Sequence, residues 1–387
     1  MAVPPLRILV CLTYYLPHRT GLTLHAQRLA EALAARGHRV TVVSARFRPD
    51  LAAEETIGGV RVVRLPAPLR ISRGLVMPSY PFAVRRLLAE ADVVHVHTPM
   101  LEVGLVGRLA RRTGTPLVIT HHGDLVLPGG MHNRLIERSM QALFRSGARV
   151  ARRLIAYSED YANHSRWLRP HLGRTTAILP PVVIPRPQPE RVGELRRRHR
   201  LDGRVLVGFA GRFVAEKRPD VLLRALPAIA AEFPTVTAVF AGQQELGYER
   251  FFERNRALVA VTGDRFRHLG LIDDPGELAA FYAACDVLAL PSETECFGLV
   301  QAEAMLCGTP VVATDIPGAR VPVRITGMGL LVPPGDVGAL ADGLRAVLCE
   351  PARYRRPEAE IADVFSLART VDRCEHVIAE AASQGRR

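Results

Sequence analysis

The sequence predicts an α/β protein of two doubly wound domains, and three observations lead to this prediction. Segments of strand type alternate with segments of helical periodicity along most of the 387 residues. A proline-rich stretch at 179–190, LPPVVIPRPQPE, interrupts the alternation, and the same alternation restarts after it. Alternating strands and helices imply parallel sheets covered on both faces, and a chain of this length accommodates two ordinary domains.

Strand signals recur in both halves of the chain. In the N-terminal half, strands are predicted at RILVCLTYY, HRVTVVSA, ADVVHVH, PLVITHH and LIAYS, with Gly37 and Gly114 as helix stops between them. In the C-terminal half, they are predicted at RVLVGFAG, TVTAVFAG, VLALPS and TPVVATD. We therefore predict domains at 1–182 and 183–365. Ligands of such domains bind at the carboxyl ends of strands, so the cleft between two facing domains is the expected site.

Composition restricts the classes of protein that fit. No run of 18 or more uncharged apolar residues occurs, so no membrane-spanning helix is expected, and the short apolar N-terminus favours a strand over a signal peptide. The six cysteines are scattered without a CxxC pair, which argues against a zinc site and favours a reducing cytoplasm. Aromatic residues are only 6% of the chain and do not interleave with a basic patch, so we predict no nucleic-acid partner.

The positive charge lies in one half of the chain. Residues 1–185 contain 25 Arg against 11 Asp and Glu, a net charge of +14, whereas residues 186–387 have a net charge of −1. A basic half attracts anions such as lipid headgroups or phosphorylated substrates, although a generic solubilising surface explains the excess equally well. One predicted helix carries a candidate membrane-facing row of arginines, namely Arg134, Arg138, Arg145 and Arg149.

The most informative stretch is PSETECFGLVQAEAMLCGTPVVATD, residues 291–315. A strand ends at its start and a helix begins near Phe297 or Gly298. The amides of Phe297, Gly298 and Leu299 are then unpaired at a helix N-terminus, which makes an anion site. Gly298 lets a ligand approach the backbone closely.

Two glutamates flank this helix start. Glu295 precedes the helix and Glu303 lies within it, so one carboxylate can bond sugar hydroxyls and the other a ribose. The alternative is that Glu295 is a helix-start acid favoured by the helix dipole and that Glu303 is solvated.

A second stretch, GFAGRFVAEKRPD at 208–220, contains the only lysine of the chain among 51 basic residues. A strand ends at Ala210, and Arg212 and Lys217 follow before a helix that starts near Pro219. Two cations at a strand end can neutralise a diphosphate, arginine with a planar fork and lysine with a compact charge. The alternative, a solvated helix-start lysine, is weakened because arginine replaces lysine everywhere else.

The N-terminal half has weaker signals. Gly21 lies between the first strand and its helix, where a loop can approach a phosphate or sugar. VITHHGD ends a strand with His122 and Asp124, and an imidazole there can bond hydroxyls or move protons near neutral pH. His95 and His97 are interpreted as packing residues, and no cysteine or acidic cluster completes a metal site.

Together these motifs resemble those of the retaining nucleotide-sugar glycosyltransferases of glycosyltransferase family four, which have the GT-B fold. The resemblance runs from RLAEALAARGHRVTVVSA through GRFVAEKRPDVLLRAL and PSETECFGLVQAEAMLCGTPVVATD to GMGLLVPPGD. It implies two Rossmann-like domains, the first for the acceptor and the second for the nucleotide sugar, and a last helix at 366–387 that crosses back to the first. It implies transfer of a hexosyl unit with retention of configuration and without a metal or cofactor, consistent with the absence of a DxD pair.

The resemblance also implies a role for each candidate residue. Arg212 and Lys217 would bind the donor diphosphate, Glu295 the transferred sugar, and Glu303 the ribose. The predicted catalytic residues are His122, Arg212, Lys217 and Glu295. The predicted donor-binding residues are Gly21, Arg212, Lys217, Glu295, Cys296, Phe297, Gly298, Leu299 and Glu303, and Asp124 is the predicted acceptor contact.

Two positions depart from the family's pattern, which often has paired glycines where this chain has Gly21 alone and a glutamate where it has Val321. The leading hypothesis for the acceptor is a lipid-linked or phosphorylated molecule at the membrane surface, with the enzyme in the cytoplasm and peripheral at the inner face of the membrane. A soluble sugar or natural-product acceptor, or a sugar-nucleotide epimerase of the same fold, is the alternative.

Overall fold

The computed structural model describes residues 3–71, 74–127, 130–246 and 249–383. The chain divides into two compact units, Met1–Pro181 with Leu367–Arg387 and Val182–Ser366. Each unit is a sheet of mainly parallel strands with helices packed on it, which confirms the predicted fold class. No helix among the described residues has the length and apolarity needed to cross a membrane.

The first unit is built on an eight-stranded sheet. The strands that the structure describes in this unit are β1 Arg7–Cys11, β2 Arg39–Arg46, β3 Glu54–Ile57, β4 Val60–Pro66, β5 Leu69–Ile71, β6 Gly74–Val76, β7 Val93–Thr98, β8 Leu117–His121, β9 Arg153–Ala156 and β10 Thr175–Ala177. The sheet order is β10-β9-β8-β7-β1-β2-β4-β3, antiparallel only at β3, while β5 and β6 form a separate hairpin. The central strands β7 and β8 are buried along their whole length, as expected for a sheet covered on both faces.

Helices connect these strands in the predicted alternation. They are α1 Gly21–Ala35, α2 Tyr80–Glu90, α3 Val103–Thr113, α4 Met131–Val150 and α5 Glu159–His164, followed by a 3-10 segment at Arg169–Arg174. Gly114 ends α3 with a φ of 74°. A Cβ atom on Gly107 would lie 3.1 Å from the Cα of Gly147, so α3 and α4 approach each other through their glycines.

The second unit is built on a six-stranded parallel sheet. Its strands are β11 Leu206–Ala210, β12 Thr237–Ala241, β13 Phe266–Gly270, β14 Val287–Leu290, β15 Val311–Thr314 and β16 Gly329–Val332. Their order is β13-β12-β11-β14-β15-β16. The chain therefore winds outward in opposite directions from β11 and β14, and such a switch point opens a crevice at the carboxyl ends of the two strands.

Ten helices of the second unit are described. They are α6 Pro189–Arg198, α7 Pro219–Ala230, α8 Phe251–Arg254, α9 Arg256–Thr262, α10 Pro275–Ala284, α11 Leu299–Leu306, α12 Arg320–Thr326, α13 Val337–Cys349, α14 Pro351–Tyr354 and α15 Glu358–Val364. Short 3-10 turns lie at Ala215–Lys217 and Gly263–Arg265.

Some strands at the margins of the sheets were not predicted from the sequence. The edge strand β13 is only half buried, and its polar Arg267 and His268 interrupt the apolar run that marks the central strands. The short strands between residues 54 and 76 were missed as well, since pairing with β4 or with each other holds them rather than a continuous apolar pattern.

The last helix, α16 Leu367–Ser383, returns to the first unit. Its buried residues, including Val371 and Ile378, join the core of that unit. Arg36 pairs with Asp372 and Glu375, each at 2.6 Å. Residues 384–387 of the predicted helix lie outside the described residues.

Candidate active site

The two motifs of the second unit meet at its switch point. The strands β11 and β14 are direct neighbours, so the loops after Ala210 and after Leu290 leave the same edge of the sheet. The backbone amide of Glu293 donates to the carbonyl of Glu216 at 2.8 Å, which joins the two loops. Gly211 begins the first loop with a φ of 147°, a conformation that glycine adopts without strain.

Lys217 and Glu295 form an ion pair across these loops. Their Nζ and Oε1 atoms are 2.6 Å apart, and the hydroxyl of Ser292 donates to the same Oε1 at 3.0 Å. Burial would lower the pKa of Lys217, but the charges of Glu295 and Glu216 outweigh it and raise the pKa above its ordinary value. The lysine is thus a protonated, partly buried ammonium, and the alternative of a solvated helix-start lysine is wrong.

Arg212 lies on the same loop but is more exposed. Its Nη2 atom is 3.0 Å from the Oε1 of Glu216, and two-fifths of its side chain is accessible to solvent. The charge of Glu216 also contributes to the raised pKa of Lys217, so this carboxylate interacts electrostatically with both cations. The predicted pair of cations is therefore present at the carboxyl end of β11.

The helix α11 begins at Leu299, beside the predicted start. Gly298 is its N-cap with a φ of 76°, and no side chain caps the helix among the described residues. A Cβ atom on Gly298 would lie 2.6 Å from the Nε2 of Gln301 and 3.0 Å from a methyl carbon of Leu290. The left-handed φ therefore favours glycine here, and the amide of Gln301 in the first turn donates to the carbonyl of Gly298 at 2.9 Å. The amides of Leu299 and Val300 are then the candidates for a ligand contact at this helix start.

Glu303 is buried on α11, 7% exposed, so the alternative of a solvated Glu303 is wrong. The hydroxyl of Tyr282 donates to its Oε2 at 2.9 Å. Burial and the charge of Glu303 raise the pKa of Tyr282 well above its usual range, so this hydroxyl keeps its proton. The structure thus fixes one oxygen of Glu303 through a residue that the sequence analysis did not identify.

The side chains of two further residues of the predicted donor loop are less available for contact with a ligand. Phe297 is fully buried, and its ring meets the edge of Phe365 with 6.2 Å between centroids. Burial, and then Glu295, raise the pKa of the Cys296 thiol to about 12. Cys296 is therefore a neutral thiol, so its backbone is the chemically suited part for a contact with a phosphate.

Arg218 was not identified from the sequence. It is a non-glycine residue with a φ of 49°. Its Nε lies 3.0 Å from the Oδ1 of Asp220, and its Nη1 contacts Glu293. The guanidinium thus connects the loop of Lys217 to the loop of Glu295.

In the first unit, both ring nitrogens of His122 are hydrogen-bonded to other side chains. Its Nε2 lies 2.8 Å from the Nδ1 of His97, and its Nδ1 is hydrogen-bonded to the hydroxyl of Tyr157. His25 on α1 packs edge-on against the His122 ring, with centroids 4.8 Å apart. Both ring nitrogens of His25 are buried without a hydrogen-bond partner in the described structure.

These three histidines form a neutral cluster. Ligand atoms of His25, His97 and His122 lie within 4.8 Å of one another, a spacing that admits a metal ion. Burial lowers the pKa of His25 to about 3 and those of the other two well below the usual value. The trio holds no carboxylate, and the positive charge of Arg28 further lowers the pKa of His25. The charge of a buried divalent cation would therefore not be neutralised by these residues. We interpret the trio as hydrogen-bonded packing, and a metal-free site stays a prediction.

Asp124 is held by its surroundings. Its carboxylate accepts hydrogen bonds from Ser165 Oγ at 2.5 Å and from the Arg166 amide at 2.7 Å, and it lies 2.9 Å from His121 Nε2. Burial would raise the pKa of Asp124, but these bonds and the adjacent His121 lower it. The predicted acceptor contact therefore also ties the end of β8 to the segment after α5.

Gly21 is an exposed first residue of α1 rather than a loop residue. The N-cap Thr20 accepts from the amide of Thr23, and the Thr23 hydroxyl accepts from the amide of Thr20 at 2.7 Å. This reciprocal cap occupies part of the helix N-terminus next to Gly21.

The predicted basic row lies on α4. Its four members are all exposed: Arg134, Arg138, Arg145 and Arg149. At about 100° per residue they fall within roughly 60° of the helix circumference. The apolar Met131 and Leu135 flank the row and are 88% and 64% exposed.

Comparison with known proteins identifies the family of the chain. Residues 192–362 match the family model described as glycosyl transferases group 1, and residues 20–181 match a glycosyl transferase 4-like domain. A phosphatidyl-myo-inositol mannosyltransferase of Mycobacterium leprae is 33% identical over 337 residues, which cover 85% of this chain and 83% of the relative. A D-inositol 3-phosphate glycosyltransferase of Geodermatophilus obscurus is 32% identical over 382 residues, which cover 91% of this chain and 83% of the relative.

Solved structures share the fold. Anabaena Alr3699/HepE in complex with UDP and glucose superposes with a TM-score of 0.78 at 21% identity, covering 97% of this chain and all of the other. WaaG, a glycosyltransferase involved in lipopolysaccharide biosynthesis, gives a TM-score of 0.68 at 21% identity, covering 96% of this chain and 99% of the other.

Proposed function

Because the chain belongs to the glycosyl transferase group 1 family and is a glycosyltransferase of GT-B fold, we propose that it moves a hexosyl unit from a nucleoside-diphosphate sugar to an acceptor hydroxyl with retention of configuration. The observation that carries this proposal is the Lys217–Glu295 pair, 2.6 Å apart at the switch point of the second unit. It joins a cation suited to a phosphate and a carboxylate suited to sugar hydroxyls in one place.

The donor diphosphate is proposed to bind among three positive groups. Arg212 offers a fork of N–H donors, Lys217 a compact ammonium, and the start of α11 its backbone amides without a side-chain cap. The raised pKa of Lys217 keeps the ammonium charged near neutral pH. Glu295 is then free to exchange its bond to Lys217 for a bond to a hydroxyl of the transferred sugar.

The reaction is proposed as a displacement on one face of the sugar. The bond between the anomeric carbon and the β-phosphate oxygen breaks, and its electron pair stays on the departing diphosphate. The acceptor oxygen forms the new bond on the same face, and its proton passes to the departing phosphate oxygen. Arg212 and Lys217 would stabilise the charge that develops on that oxygen, which is the interaction that strengthens in the transition state.

We propose Glu303 as the ribose contact. One of its oxygens accepts from Tyr282, so the buried carboxylate has a fixed orientation toward a ribose hydroxyl. His122 is the less suited of the predicted catalytic residues, since it would have to release Tyr157 or His97 before it could bond a sugar.

The acceptor is proposed to be a phosphorylated inositol-type molecule. The support comes from two relatives, a phosphatidyl-myo-inositol mannosyltransferase and a D-inositol 3-phosphate glycosyltransferase, together with the net charge of +14 in residues 1–185. A basic surface favours an anionic acceptor whether the phosphate is free or carries a lipid.

The α4 surface is proposed to contact an anionic membrane. Four arginines on one side of the helix attract acidic headgroups, and the exposed Met131 and Leu135 can enter the interface beside them. Location at the inner face of the cell membrane would follow from this contact.

The function is tested with a panel of UDP-, GDP-, ADP- and TDP-sugars in a thermal-shift assay, followed by mass spectrometry of products with inositol phosphate and phosphatidylinositol as acceptors. One donor is expected to stabilise the protein and to yield a glycosylated product with the anomeric configuration of the donor. Lys217→Ala and Glu295→Ala should abolish transfer, and full activity in both variants would show that the site is placed wrongly. Conversion of donor to an epimer without an acceptor would establish the alternative enzyme class.

The membrane contact is tested by sedimentation with vesicles of phosphatidylcholine alone and with phosphatidylserine added. Binding is expected only to the anionic vesicles and should weaken with salt, because exposed charges are screened. Arg134→Glu with Arg138→Glu should remove it, and equal binding by this variant would rule out the α4 surface.

A further inference from the structure

Gln301 joins two loops at the carboxyl edge of the second sheet. It is fully buried on α11, and its Nε2 donates to the carbonyl oxygen of Ala319 at 2.8 Å and to that of Phe297 at 3.3 Å. Phe297 belongs to the loop after β14, and Ala319 belongs to the loop between β15 and α12. One side-chain amide therefore connects the loops that follow two neighbouring strands.

The same two loops are in direct backbone contact. Gly318 has a φ of 82°, and a Cβ atom on it would lie 2.5 Å from the carbonyl oxygen of Glu295 and 2.7 Å from the carbonyl carbon of Cys296. The segment at 318–319 is thus pressed against the residues that precede α11. A displacement of this segment would move Glu295 and the amides of the helix start.

Stability does not explain a glutamine at this position. Its Oε1 is buried with no hydrogen-bond partner in the described structure. Leaving a buried acceptor unsatisfied costs about as much as two neutral hydrogen bonds contribute on balance. An unbranched apolar side chain of similar length would fill the same buried space and remove the unsatisfied oxygen, but it would leave the carbonyl of Ala319 without its donor, so the two effects on stability nearly offset each other.

We infer that Gln301 is a positioning residue for the donor site, which holds the loop at 295–298 against the loop at 318–319. This inference rests on the proposed function, in which that loop supplies Glu295 to the sugar and backbone amides to the diphosphate. A loop that is already in place binds its ligand without a further ordering cost. Loss of the amide should therefore weaken the donor complex and leave the acceptor complex unchanged.

The experiment compares Gln301→Met with the wild-type protein and with Thr115→Val, a control that removes a buried side-chain bond to the carbonyl of Leu88 in the first unit. The Gln301→Met variant should raise the Kd of UDP or GDP and the donor KM about five- to tenfold, with acceptor KM and melting temperature unchanged. The control should change neither donor constant. Gln301→Leu serves in its place if the methionine variant does not fold.

Hydrogen exchange gives a readout that needs no ligand. The amides at 295–299 should exchange faster in Gln301→Met than in the wild type. The inference would be overturned by an unchanged exchange rate at 295–299, or by a donor Kd and KM within twofold of the wild-type values. A lower melting temperature with unchanged kinetics would overturn it as well. A wild-type protein that binds none of the nucleotides would instead overturn the proposed function, while the exchange result would still decide the role of Gln301.

Discussion

Lys217 and Glu295 lie 78 positions apart in the chain, and their charged atoms are 2.6 Å apart in the structure. The adjacency of β11 and β14 brings them together, since each residue lies in the loop after one of these strands. Glu295 raises the pKa of Lys217 against the effect of burial, so the pair also fixes the charge state of the lysine.

Lys217→Arg should keep most of the nucleotide affinity and lose turnover. The arginine retains the positive charge, but its planar fork is larger than an ammonium and does not fit between Glu295 and a phosphate oxygen. We expect kcat to fall roughly tenfold to a hundredfold, with the Kd of the nucleotide within about threefold. Steady-state kinetics and calorimetry check this, and a fully active variant would leave codon usage as the explanation of the single lysine.

Tyr282→Phe should weaken donor binding through Glu303. The change removes a hydroxyl that holds Oε2 of Glu303 at 2.9 Å, and a hydrogen bond to a charged group contributes about 1.5–3 kcal/mol. The donor KM should rise roughly tenfold while the acceptor KM stays constant. Tyr354→Phe, at another buried tyrosine of the same unit, is the control. An equal effect of the two changes would mean that Tyr282 acts only on stability.

Arg218→Gly and Arg218→Ala should differ from each other in stability, and both should be less active than the wild type to a similar extent. Both lose the local bond to Asp220 and the bond to Glu293, and the bond to Glu293 connects the two loops of the site. Alanine keeps the strained positive φ of 49°, whereas glycine relieves it, so the glycine variant should be more stable by about 1 kcal/mol. Urea unfolding measures the difference. Equal stabilities would argue against strain at this position, and unchanged activity would argue against the connecting role.

The first unit should lose stability as the pH falls below about 6.5. Burial lowers the pKa of His25 to about 3 and that of His95 to about 4, and it lowers those of His97 and His122 well below the usual value. The unfolded chain therefore binds more protons than the folded chain in this range. Each histidine lowers the free energy of unfolding by roughly 1 kcal/mol for each pH unit of acidification. Stability should be at its full value above pH 7.

Trp167, the only tryptophan, is buried in the first unit and reports its unfolding by fluorescence. Urea transitions between pH 7 and pH 5 should show the loss, and His25→Gln should reduce the slope by about one histidine's share. A slope that does not change in this variant would mean that His25 is not buried as a neutral imidazole.

Sequence periodicity was sufficient for the central strands and for the positions of both motifs. A strand buried on both faces is a continuous apolar run, and helix ends are marked by residues such as Gly114 and Gly298 whose backbone only glycine adopts easily. Edge strands such as β13 are half solvated and lack such a run, so their pairing partners define them instead.

The sequence by itself determined the fold class and the family and predicted the residues of the two donor motifs, because these depend on local patterns of apolar residues, glycines and charges. Only the tertiary structure decided which of those residues meet. It paired Lys217 with Glu295, buried Glu303 under Tyr282, enclosed His122 between His97 and Tyr157, and placed Gln301 between two loops. The physical reason is that strand order and helix packing bring together the residues of each contact. The local spacing of residues along the chain determines neither strand order nor helix packing.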